Sequence, residues 1–276
     1  MQTFLPDPSF ECSASLLDTR RLGKQRVEAL QILRALHLEE YGWADHPAVR
    51  MWQGRTRALV AYGLAMVDEW CARGHSDATR ANIAEFAAPE PALLASSLPD
   101  DELPPWLGQA DVHRSHRAAL VRKNPEQYGP LFPDATPDLP YVWPPPPAER
   151  PPAAPFTAWV LRAGPSDLAA ELAALGAVGL PSAFEGTAAM RKEVRQLRRW
   201  RHDAREGDAV VMLAGDELQV GLIVGAPGES DVAGQRYVTR PVQWRRTMPR
   251  FELRRPYRLQ DPKALFALRG EPQLLA

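Results

Sequence analysis

Two hydrophobic periods divide the chain. Through its first half apolar residues return at three- and four-residue spacing: Leu22, Ala29, Leu33 and Leu36 form one stripe, and Val49, Trp52, Thr56, Leu59, Val60, Gly63, Val67 and Trp70 another. That spacing is the period of the α-helix. Residues 1–143 are therefore expected to be all-helical, with one amphipathic helix running through 49–70. Beyond residue 155 the pattern changes to short apolar runs separated by turn residues. Phe156–Arg162, Ala209–Leu213, Gln219–Val224 and Arg236–Trp244 read as strands, the middle two joined by a turn at Gly215-Asp216. A helix near 188–203 interrupts them and carries Arg191, Lys192, Arg195, Arg198, Arg199 and Arg201. The second half is expected to form a small, mostly antiparallel β-barrel with a basic helix, and the whole chain falls in the α+β class.

Proline marks the change of pattern. Pro140, Pro144 to Pro147, Pro151, Pro152 and Pro155 crowd one stretch, and proline is excluded from the interior of both helix and sheet. A polyproline II spacer over 144–155 is the favoured reading. Such a stretch can also serve as a ligand for an aromatic-lined groove. The expected domains are 1–143 and 156–276. A second proline cluster, Pro89 to Pro105, reads as a mobile loop inside the first domain.

Charge separates the halves again. Residues 1–150 hold 15 Lys and Arg against 20 Asp and Glu, and 151–276 hold 18 against 14, so the net −1 of the 276-residue chain resolves into −5 and +4. No run approaches the roughly 18 apolar residues of a membrane span, and the N-terminus lacks a signal pattern. A cytoplasmic protein without a membrane partner is expected. Cys12 and Cys71 lack the close Cys/His spacing of a zinc site and are expected to be reduced. His113 and His116 lie one helical turn apart, a spacing that can hold a metal. Arg114 and Arg117 beside them oppose a cation, so no metal and no organic cofactor is expected.

One segment concentrates candidate chemistry. In Leu17 to Leu30 a single glutamate, Glu28, shares a helix stripe with Arg21, Lys24 and Gln25. One reading is a solvated surface ion pair. Lys before Glu at four-residue spacing is, however, the weaker order for bracing a helix, which favours a carboxylate kept for function. Arg20, Arg21, Lys24 and Arg26 in this segment, and Arg114, Arg117, Arg122 and Lys123 further on, would form one phosphate-binding face if their helices adjoin. Otherwise they are ordinary polar faces.

This segment, with His46-Pro47-Ala48-Val49-Arg50-Met51-Trp52, the run Glu69 to His75 and the run His113 to Tyr128, resembles the pyrimidine-dimer DNA glycosylases of the endonuclease V type. The resemblance covers the first half of the chain in order. It implies that the α-amino group of the N-terminal residue is the nucleophile and that Glu28 handles protons. An α-amine titrates near 8 and is partly neutral at physiological pH, unlike an ordinary lysine. The resemblance implies attack on the glycosidic carbon, loss of the base and a Schiff base open to β-elimination. The family exposes its amine by removing the initiator Met. Gln2 is too large for that removal, so the amine here is expected to be that of Met1, displaced by one residue, which bears on the lyase step. His113, His116 and Tyr128 join the basic residues in the implied DNA-contacting set.

The second half is similar to EVE-type members of the PUA-like fold, through Val160 to Gly164, Gly207 to Val211, Val220 to Gly225 and Arg240 to Trp244. The resemblance implies an aromatic cage for a modified or flipped base. Trp159, Phe184, Trp200 and Trp244 are the aromatics available, and barrel core is the favoured reading of each over a base platform. Gly179-Leu180-Pro181 stands where the family tends to have Gly-Trp.

Together these readings give an expected DNA glycosylase, with AP lyase activity as a further expectation, acting on duplex DNA that bears a damaged or modified base. Two alternatives stay open. One is a non-catalytic reader of modified or distorted nucleic acid, and the other an enzyme acting on modified nucleotides, which the acidic first half favours. Oligomeric state is not legible in the sequence.

Overall fold

The structure divides at the proline-rich stretch, where the hydrophobic period changes. A computed structural model describes residues 1–87, 98–164, 166–182 and 190–274, and within it Met1–Pro152 and Ala153–Ala276 form separate units. The expected spacer, 144–155, falls across that division. Pro144 is buried in the first unit, Arg150 donates to the Ala44 carbonyl at 2.7 Å and pairs with Asp45 at 3.7 Å.

Every regular element among the described residues of the first unit is a helix. Its elements are α1 (Phe10–Leu16), α2 (Thr19–His37), α3 (Pro47–Arg50), α4 (Thr56–Ala72), α5 (Arg80–Ala84), α6 (Ala110–Lys123) and α7 (Pro125–Tyr128). Glu28 lies on the second helix, because Leu17 and Asp18 are extended and Asp18 caps α2 by accepting from the Arg21 amide at 2.8 Å. The expected single helix through 49–70 is two: the chain turns at Gly54, whose φ of +77° suits glycine. α4 is not amphipathic in its middle, since residues 58–67 are all buried and a helix apolar on every side belongs at the centre of a bundle. α2 crosses it closely where a Cβ on Gly63 would stand 3.2 Å from the Ala29 Cβ. Of the expected loop Pro89–Pro105, residues 89–97 lie outside the described residues. The remainder is pinned by an Arg57–Glu102 ion pair at 2.8 Å and by buried Trp106, which donates to the Met51 carbonyl. Among the described helices none is long and apolar enough to cross a membrane.

The second unit is a curled seven-stranded sheet built from β1 (Phe156–Arg162), β2 (Ala177–Pro181), β3 (Ala209–Ala214), β4 (Glu217–Ile223), β5 (Gly228–Val232), β6 (Gln235–Pro249) and β7 (Leu265–Arg269), with α8 (Ser166–Ala174) and α9 (Met190–His202). Strands run in the order β2-β6-β4-β3-β1-β7, with β5 also on β6. All pairings are antiparallel except β1 with β3. The sheet is thus mostly antiparallel as expected, but among the described residues its path stays open between β2 and β7. The bend sits at Gly221, beside a register shift between β4 and β6. A Cβ there would lie 2.5 Å from Val242 Cγ1 and 2.8 Å from the Gln243 carbonyl oxygen.

β1 and β3 read as continuous apolar runs because both faces of the sheet are covered. Trp159, Leu161, Val210 and Met212 face one core with Leu172 of α8 and Trp200 of α9. Val160, Val211 and Leu213 face another, closed by Leu253, Leu259 and Leu274. Arg240, 4 % exposed, ties α9 to the sheet. It donates to the carbonyls of Trp200, Arg201 and Gly225 at 3.1, 3.0 and 3.2 Å. Arg240→Met leaves those carbonyls unpaired while conserving much of the volume. It is expected to destabilise this unit by about 3 kcal/mol, read as a lower midpoint in chemical denaturation followed by tryptophan fluorescence.

Candidate active site

Residues 1–6 lie outside helix and strand, so their hydrogen bonds go to side chains of the bundle. The Trp52 indole donates to Thr3 Oγ1 at 3.1 Å. The Phe4 amide donates to Gln25 Oε1 at 2.8 Å, and the Tyr62 hydroxyl sits 2.6 Å from the same oxygen and 3.1 Å from the Phe4 carbonyl. At Leu5 two histidines of α6 share the work: the amide donates to His116 Nδ1 at 3.0 Å and the carbonyl lies 2.8 Å from His113 Nδ1. Arg117 Nε donates to the Pro6 carbonyl at 2.7 Å. The Gln2 amide donates to the Tyr141 hydroxyl.

This grip delivers the α-amino group to a carboxylate. The Met1 nitrogen lies 3.8 Å from Glu28 Oε1, which also pairs with Lys24 Nζ at 3.4 Å. Glu28 is only 6 % exposed, whereas the Lys24 side chain is 72 % exposed. Gln25 joins the segment to the site, since its Nε2 donates to Glu28 Oε2 at 2.9 Å while its Oε1 receives the Phe4 amide. His46 caps α3 by accepting the Ala48 amide on Nδ1, which leaves its proton on Nε2 when neutral. Burial, and then the Met1 ammonium, hold its pKa below the usual histidine value, with Glu28 acting the other way. Burial pushes the Tyr141 phenol up, against the pull of Arg122 and with help from Glu28. An α-amine beside a buried carboxylate, with an imidazole near both, is an arrangement in which a proton can pass from the amine to the carboxylate.

The structure sorts the expected DNA-contacting set. Arg20, Lys24, Arg114, Arg122 and Lys123 are exposed, although Arg122 donates to the Pro137 and Leu139 carbonyls at 2.6 Å each. α2 and α6 do meet, through Arg21 Nη2 donating to the Lys123 carbonyl at 2.9 Å. Arg21 is otherwise committed to Asp18 and to the face of Tyr128, and Arg26 to Asp77 and the Trp70 ring, 4.7 Å away. His113 and His116 are not on that face: both are buried, because the Leu5 backbone needs their Nδ1 atoms. Tyr128 is buried too, and its hydroxyl braces the start of α2 by accepting the Asp18 amide and donating to Asp18 Oδ2. His46, Tyr62 and Tyr141 were not among the candidate residues read from the sequence. Only the His46-Pro47 cap carried a local signal.

In the second unit Trp159 and Trp200 belong to the core, their indoles donating to Asp208 Oδ2 at 3.0 Å and the Val238 carbonyl at 3.1 Å. Trp244 packs against the same core with its indole nitrogen unpaired. Phe184 lies outside the described residues. A cavity of about 330 Å³ opens elsewhere, between Leu168, Gly179, Tyr237, Glu193 and Gln196.

Residues 1–82 match the family model described as pyrimidine dimer DNA glycosylase. That stretch contains Met1, Glu28 and His46 and ends before α6. Comparison with curated proteins and with solved structures returned no match.

Burial, reinforced by His113, pushes the His116 pKa down to about 3. Between the usual value near 6.5 and 3 the unfolded chain binds a proton that the folded site refuses. Stability is complete above pH 6.5 and falls below it by about 1.4 kcal/mol per pH unit for this histidine. Thermal melts from pH 7 to 4 are expected to show that loss, and His116→Asn, which keeps an acceptor but does not titrate, to flatten it.

Proposed function

We propose that the helical unit is a DNA glycosylase that uses the α-amino group of Met1 as nucleophile and Glu28 as its proton-handling partner. The observation that carries this reading is the 3.8 Å approach of the amine to a buried carboxylate at the end of a clamped segment, and the family match over the same residues supports it. Glu28 accepts the proton that frees the amine. The amine nitrogen bonds to the sugar C1′ as the bond from C1′ to the base breaks, and the base departs with a proton. Opening of the sugar ring gives a protonated Schiff base. Removal of a proton from C2′ then expels the 3′ phosphate, and hydrolysis of the imine frees Met1. This last sequence is the AP lyase step.

Arg20, Lys24, Arg114 and Lys123 are the exposed cations available to the phosphates. The second unit, with exposed Lys192 and Arg198 on α9, adds to DNA binding and helps to find the base. The acidic total of the first half is no obstacle where the cations are local, because counterions are released phosphate by phosphate.

Borohydride trapping tests the chemistry. The untagged protein, incubated with duplexes carrying an abasic site, a pyrimidine dimer or a 5-substituted pyrimidine, is expected to give a covalent adduct mapping to Met1. One extra N-terminal residue is expected to abolish trapping, and Glu28→Gln to slow it by about 10²- to 10⁴-fold. Base release without an adduct would mean a glycosylase that does not use the amine. Binding without either would leave a reader of damaged DNA. Titration with salt separates polymer from nucleotide: Arg20→Ala and Lys123→Ala are each expected to reduce the slope of log K against log salt by about 0.9.

A further inference from the structure

Trp43 is difficult to explain as part of the fold. It is 64 % exposed and has a φ of +73°, in a turn closed by the His46 amide donating to its carbonyl at 2.9 Å. Left-handed backbone suits glycine or asparagine and opposes a bulky side chain. The ring touches only the edge of the bundle, T-shaped to His46 at 5.7 Å. From there an unbroken aromatic row leads inward. His46 meets Trp143 at 6.0 Å, Trp143 stacks on Tyr141 at 5.1 Å and 28°, and Tyr141 accepts from Gln2, the neighbour of the nucleophile. A cavity of about 690 Å³, ample for a nucleotide, opens beside the same turn between Asp45, Arg50, Gln53 and Pro146.

We propose that Trp43 is a nucleobase-stacking residue that packs on a base left unstacked when the target nucleotide leaves the duplex. The inference rests on the glycosylase reading of the helical unit. Bringing C1′ to the Met1 amine requires extrusion, extrusion breaks stacking on both sides of the nucleotide, and the exposed bases seek a flat apolar partner. Every base has a π-face, so a tryptophan fixed at the outer end of the row serves without reading sequence. The exposed Arg50 and Lys24 supply charge for the flanking phosphates.

The test compares full-length wild type, Trp43→Gly and Trp43→Phe on duplexes that are intact or carry a tetrahydrofuran abasic analogue. The readouts are affinity, borohydride trapping on a true abasic site, and Tm. Trp43→Gly is expected to bind the abasic analogue about ten- to a hundredfold more weakly. It should bind intact duplex almost unchanged and melt no lower than wild type, because glycine relieves the positive φ. Trp43→Phe should recover most of the affinity. The proposal is overturned if Trp43→Gly keeps wild-type affinity for the analogue, loses it equally on intact duplex, or loses it together with Tm. If wild type neither binds nor traps, the glycosylase reading fails and this inference falls with it.

Discussion

A chain start outside helix and sheet has to satisfy its backbone within the bundle, and the helical unit is arranged around that requirement. From the Phe4 amide to the Pro6 carbonyl, each polar group finds Gln25, Tyr62, His116, His113 or Arg117. These side chains come from α2, α4 and α6, so three helices are cross-linked through one irregular segment. The site inherits its geometry from this network. Gln25 makes the coupling explicit, because one amide holds the Phe4 backbone with its oxygen and Glu28 with its nitrogen. An amine at a chain end would ordinarily be among the most mobile groups in a protein. Here helices rather than loops hold it, which is the condition for accurate positioning.

Two charge roles are separated in the same space. Cations near the start of α2 are partly committed to architecture: Arg21 braces Asp18 and Tyr128, Arg26 holds Asp77, and Arg73 donates to the Leu17 and Ser15 carbonyls at the end of α1. Arg20, Lys24, Arg114 and Lys123 remain on the surface. A net acidic unit can therefore still present a local positive face. Glu28 needs separate protection, since a buried carboxylate is stable only when paired and hydrogen-bonded. Met1, Lys24 and Gln25 supply both.

The second unit uses Trp159 and Trp200 as core, the reading favoured from the sequence over a base platform. Trp159 and Trp200 fill the core on the α8–α9 side of the sheet and point their indole N–H groups at fixed acceptors. The open space lies instead beside small residues, Gly164, Gly179 and Ala264.

Much of this was written locally in the chain. The three- and four-residue spacing placed α2 and α4, the short apolar runs placed β1, β3, β4 and β6, and the prolines marked the division, because period and proline act through the backbone nearby. Glu28 stood out by its neighbours four residues away. β5 is a local hairpin partner of β6 hidden by its polar sequence. The parallel pairing of β1 with β3 and the short strands β2 and β7 were not legible, since each depends on partners far along the chain. So does the burial of polar residues. A helical stripe shows Glu28, His113 and His116 as polar and so as candidates for the surface. Only contacts such as Leu5 with His116, 111 residues apart, decide that they lie inside and what they hold. Residue order near the chain start set which candidate groups lie there; tertiary structure decided which of them meet, because the hydrogen bonds that satisfy a backbone outside helix and sheet can come from anywhere the fold brings a donor or acceptor.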